Sequence, residues 1–137
     1  EINMWKIYEN NDEDLSFAVA CLYRKVIELD EFKKWVEQVI NDTPIDNIPL
    51  YIFELLNFNQ HTFHIHEVIG FPLTFSFSKK EEDALYGILF LRNKECFNED
   101  IVKEKALRLI YKHPEILSKF KRQFPFITDI DEDLLKL

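Results

Sequence analysis

Glycine occurs twice in 137 residues, at Gly70 and Gly87, and proline five times. Hairpins and tight turns draw on glycine for positive φ and on proline for a preset φ. A many-stranded fold needs such turns every few residues, so this chain has little material for one. Helices joined by short polar loops demand less. The composition supplies a core for them: 47% of residues are hydrophobic and 15% aromatic, with thirteen Phe, far from a disordered chain. The expected fold is mostly α, a single domain over 1–137 built as a bundle of about six to eight helices.

Asp12, Glu13 and Asp14 precede an apolar stripe at Leu15, Ala18, Leu22, Val26 and Leu29. The spacing is helical, and acids suit the positive end of the helix dipole. Asp30 reads as the N-cap of a second helix with the stripe Phe32, Trp35, Val36, Val39 and Ile40. Pro44 predicts its end near Asn41. Asn47 and Pro49 open a third helix with Leu50, Phe53, Leu56 and Leu55 as its stripe. Ser78 and Glu81 form a capping-box pattern ahead of a helix over 79–92. Ala84, Leu85, Ile88 and Leu89 lie on one side of it and Tyr86 and Phe90 on another, so it should be central and the most buried. Gly87 inside it costs about 1 kcal/mol against Ala, which close packing against a neighbour would explain. Asn98 reads as the cap of the next helix, with Val102, Ala106, Leu109 and Ile110 inward. Pro114 starts another, carrying Ile116, Leu117, Phe120 and Phe124. Thr128 and Asp131 mark a short last helix ending in Leu134, Leu135 and Leu137.

Residues 61–77 are ambiguous. Phe63 and Ile65 alternate with His64 and His66, and Leu73, Phe75 and Phe77 alternate again. A small strand pair about Gly70-Phe71-Pro72 is therefore the competing reading of this stretch.

The net charge is −8. Residues 1–60 hold twelve acids against five bases, −7, and residues 61–137 thirteen against twelve, −1. An acidic half-chain repels nucleic acid and anionic lipid and attracts a basic partner. Neither nucleic acid nor membrane is expected as a partner, since no apolar run approaches the roughly 20 residues needed to span a bilayer. Two cysteines make no disulfide framework, and no signal peptide opens the chain, so a reduced, cytoplasmic setting is expected. Cys21 reads as core.

Chemistry has few candidates. His61, His64 and Glu67 would share a helix face at i, i+3, i+6, and His66 would point away. On a strand His64 and His66 would share a face without His61. Neither geometry gathers three ligands, and the spacing is not that of HExxH, so no metal is expected. There is no Gly-rich phosphate loop, and no cofactor or catalytic residue is assigned. Trp5 and Tyr8 stand beside an acidic cluster; they either fold back on the core or anchor a basic protein.

The run EFKKWVEQVINDTPIDNIPLYIFELLNFN places a Trp and an Ile in an amphipathic helix, then an acidic turn, then P-x-Y-I-x-E-L. Carried by Trp35, Ile40, Pro49, Tyr51, Ile52 and Leu55, it resembles small helical immunity proteins of bacterial contact-dependent growth inhibition and polymorphic toxin systems. Val36 departs from the small residue expected after the Trp. The resemblance implies a non-enzymatic protein that binds and blocks a cognate toxin, often a basic nuclease. The acidity, small size and lack of a catalytic motif agree. The candidate partner-binding residues are Asp12, Glu13, Asp14, Asp42, Asp46 and Glu54, with Trp5 and Tyr8 as aromatic anchors. Asp129, Asp131, Glu132 and Asp133 form a second acidic patch. The alternatives are an adaptor or regulatory domain for another protein, and a metal-dependent hydrolase using His61, His64 and Glu67.

Overall fold

The computed structural model describes residues 4–136; Leu137, the end of the last apolar run, lies outside them. The chain is mostly α. Among the described residues it forms α1 (Glu13–Tyr23), α2 (Leu29–Asp42), α3 (Leu50–Leu56), α4 (Ile65–Ile69), α5 (Lys79–Leu91), α6 (Lys103–Lys112) and α7 (Pro114–Gln123), with three 3-10 turns. They group into two compact units, one of Glu1–Tyr23 with Glu28–Ser76 and one of Arg24–Ile27 with Phe77–Leu137.

In the first unit the α1 stripe does not run on to Val26 and Leu29. The helix ends at Tyr23, and Lys25 sits at φ 63, a left-handed conformation that breaks the phase. The α2 cap is Glu28 rather than Asp30. The Glu28 side chain accepts from the Glu31 backbone and the Glu31 carboxylate accepts from the Glu28 N–H at 2.8 Å, while Asp30 accepts from the adjacent Glu31 N–H. Phe32, Trp35, Val36 and Val39 are buried as the stripe predicts. In α3 the buried face is Tyr51, Ile52 and Leu55, and Leu50 is 75% exposed, so the predicted stripe is turned by about one residue. Seven mostly apolar residues fit either phase.

The strand pair of 61–77 does not form. His61 caps a 3-10 turn over Thr62–His64, α4 follows, and Gly70 closes it at φ 81 with its N–H on the His66 carbonyl. The alternating segment beyond is extended, but the N–H groups of Thr74 and Phe75 donate to the Asp12 carboxylate instead of to a strand. Among the described residues the one β feature is an isolated Tyr8–Asn11 bridge.

In the second unit α5 carries the Ser78–Glu81 capping box and buries Ala84, Leu85, Ile88 and Leu89. A Cβ on Gly87 would meet the Ala106 carbonyl oxygen at 2.5 Å and Ile110 Cβ at 2.7 Å. The glycine is what lets α5 and α6 approach this closely. Asn98 does not cap α6. Its Oδ1 accepts from the Asp100 N–H in a local turn, and the helix starts at Lys103, five residues on, behind Val102. Pro114 is the first residue of α7, which buries Ile116, Leu117 and Phe120. The last segment is a 3-10 turn over Glu132–Lys136.

Candidate functional site

Three of the predicted acids lie on one corner of the first unit, the stretch that runs from the end of α2 through the 3-10 turn into α3. Asp42, Asp46 and Glu54 are all exposed there. Between them stand two large apolar side chains in solvent, Ile45 at 70% and Leu50 at 75% exposure. Pro44 and Pro49 bracket a single 3-10 turn over Ile45–Asn47, which lifts this stretch off the helix axis. Leu50 and Glu54 are one turn apart on α3.

The corner is braced from beneath by residues 5–8. Trp5 Nε1 donates to Asp42 Oδ2 at 3.0 Å, and its ring meets the buried Trp35 edge-on at 5.8 Å. Tyr8 Oη donates to the Asn47 carbonyl at 2.8 Å, and Tyr51 Oη to that of Ile7. Burial raises the Tyr51 phenol above its ordinary pKa, and the nearby Asp12 and Tyr8 charges add to this, so it remains a donor. Trp5 and Tyr8, each partly buried, therefore hold the corner in place through these bonds.

Asp12, Glu13 and Asp14, at the start of α1, are engaged by contacts within the fold. Asp12 is 2% exposed. Its carboxylate accepts from the N–H groups of Thr74 (2.8 Å) and Phe75 (3.0 Å) and from the hydroxyls of Thr74 and Ser16. Burial alone would raise its pKa; these bonds outweigh it and hold the carboxyl below its usual value. Asp14 accepts from the Lys6 N–H at 2.8 Å, while the Lys6 carbonyl accepts from the N–H groups of Asp14 and Leu15. Glu13 pairs with Lys6 at 3.5 Å. The three acids fix the start of α1.

The second acidic patch is likewise engaged. Asp129 pairs with the buried Arg92 at 3.0 Å, Glu132 with Lys121, and Asp133 with Lys136 at 3.2 Å, while Asp131 accepts the Asp133 N–H. Among the histidines, His61 Nδ1 accepts from the Phe63 N–H at 3.2 Å, and His64 faces Glu67 at 3.3 Å. No three His, Cys, Asp or Glu among the described residues gather about a point that could hold a metal ion.

The fold sharpens the charge division seen along the chain. The first unit holds thirteen acids and three bases, −10, and the second twelve acids and fourteen bases, +2. Sequence reasoning found the acids of the corner but missed Ile45 and Leu50, taking Leu50 as core. The available signal was an apolar residue between two acids and two prolines. No protein-family profile, curated protein or solved structure matches this chain. No helix among the described residues is long and apolar enough to cross a membrane.

Proposed function

We propose that this chain is a binding protein of the immunity type, which neutralises a basic protein toxin in the cytoplasm by occupying its surface rather than by turnover. The observation that carries the reading is the exposed stretch from the end of α2 into α3: Ile45 and Leu50 exposed at 70% and 75%, with the exposed acids Asp42, Asp46 and Glu54 interspersed along the chain. Exposed apolar anchors inside a charged rim are how a protein interface divides its labour. The anchors gain affinity by desolvation, and the rim steers a cationic partner inward. The immunity-like run Trp35 to Leu55 encloses this corner, which joins the resemblance to a surface. The charge of −10 on the first unit supplies the long-range field.

The test is growth rescue and pull-down against the toxic domain encoded next to this gene. The wild-type chain is expected to rescue growth and to bind. Leu50→Asp with Ile45→Asp should abolish binding, whereas Asp46→Lys with Glu54→Lys should slow association and flatten its salt dependence. A wild-type chain that neither binds nor rescues would overturn the reading. Rescue that survives both double variants would keep the function and move its surface elsewhere.

A further inference from the structure

The second unit contains a cleft of about 600 Å³ that the proposed function does not use. One wall is the first half of α5 and the other the 98–109 stretch leading into α6. Its size is that of a small-molecule site. The apolar part is Ile101, Val102, Ala106 and Leu109. Val102 belongs to the predicted inward stripe of α6 yet is 58% exposed, because it precedes the helix and faces this space instead.

The polar part is unevenly paired. Arg24 meets Glu82 at 3.4 Å and lies 6.0 Å over the Tyr86 ring, whose hydroxyl accepts from Asn98 Nδ2 at 3.3 Å. Lys79 meets Asp83 at 2.9 Å. Two of the three acids lining the cleft are thus neutralised in place, and Asp100 remains. Against it stand Lys80 on one wall and Lys105 on the other, neither with an acid partner among the described residues.

We infer that this cleft binds a small organic anion with an apolar body: the body lies on Ile101, Val102 and Leu109, and the anionic group is held between Lys80 and Lys105. Lys80 and Lys105 line the same cleft as Ile101, Val102 and Leu109, and an amphipathic anion would complement both kinds of lining. The site is independent of the acidic corner.

The probe is 8-anilinonaphthalene-1-sulfonate, with uncharged N-phenyl-1-naphthylamine as comparator. Fluorescence titration gives affinity, and backbone NMR shifts give location. The sulfonate should shift Tyr86, Ile101, Val102 and Lys105 and should bind more tightly than the uncharged analogue. Lys80→Glu with Lys105→Glu should weaken it about tenfold, two lost charge contacts turned repulsive, and leave the uncharged analogue unaffected. Should the reversed variant not fold, Lys80→Gln and Lys105→Gln singly should each weaken the sulfonate and leave the analogue unchanged. Shifts that gather outside the cleft, affinity indifferent to both lysines, or failure of the sulfonate to bind would overturn the inference.

Discussion

The two units differ in how their backbones are satisfied. The second is three helices of 13, 10 and 10 residues, which close most of their own hydrogen bonds and need chiefly close packing. Gly87 against Ala106 and Ile110 supplies the tightest of it. The first unit has α1 and α2, but also α3 and α4 of seven and five residues and long irregular stretches. Helices this short barely stabilise themselves. Their connecting backbone is stitched instead by side chains: Asp12 to residues 74–75, Tyr51 to residue 7, Tyr8 to residue 47. A single side chain thus carries far more in the first unit than any surface residue in the second. The acids that look most available for a partner can be the ones the fold consumes.

The largest expected effect tests that stitching. Asp12→Ala leaves two N–H groups and two hydroxyls without their acceptor and should cost about 3 kcal/mol by urea unfolding. Amide exchange should rise first at residues 73–77. A loss under about 0.5 kcal/mol would make the two units equivalent in kind. Next is the packing of the second unit. Gly87→Ala in an ordinary helix would stabilise by nearly 1 kcal/mol; here the new methyl collides with a backbone carbonyl and should destabilise by about 1–3 kcal/mol. A gain in melting temperature would refute the close approach of α5 and α6.

A smaller effect, about 1 kcal/mol, is expected for Trp5→Phe, which keeps the ring on Trp35 and removes the bond to Asp42. The pH dependence follows from Asp12. Its folded pKa lies below the ordinary value of 3.8, so its contribution is complete above that value and is lost as pH falls through the lowered one. Asp12→Asn should therefore flatten the acid limb of stability below about pH 4, read by thermal melts from pH 2 to 6. The smallest stability effect belongs to the corner. Asp46→Lys with Glu54→Lys should shift folding stability by less than about 0.5 kcal/mol, since both side chains are exposed and neither has a partner among the described residues. A larger loss would mean the corner is structural.

Much of the second unit was legible. The Ser78–Glu81 box and Pro114 mark helix starts, the stripes of α5 and α7 run the length of helices of 13 and 10 residues, and the helices appear where they predict. The failures cluster where the window is short. The five and seven residues of α4 and α3 fit two phases or two periods, so the strand pair and the inward Leu50 were both readings that local pattern could not arbitrate. Glu28 over Asp30 as the cap was decided between two nearby carboxylates of similar capacity, whereas Asn98 is spent on a local turn with Asp100 and α6 begins behind Val102 with no side-chain cap. At the candidate site the exposed acids Asp42, Asp46 and Glu54 were legible as charge. Their separation from Asp12, Glu13 and Asp14 was not, because partners 62 and 63 residues away claim Asp12.

By itself the sequence determined a helical chain. Scarce glycine, abundant apolar side chains and a 3.6-residue period leave no other way to bury the one and connect the other. It also determined an acidic N-terminal half, since charge is a count. Which acids remain in solvent was decided only by tertiary structure, and so was which apolar residues, Ile45 and Leu50, are left out with them. Burial and hydrogen bonding depend on contacts between residues far apart in the chain, and the same carboxylate can close a buried backbone or face a partner with nothing in its local sequence to distinguish the two.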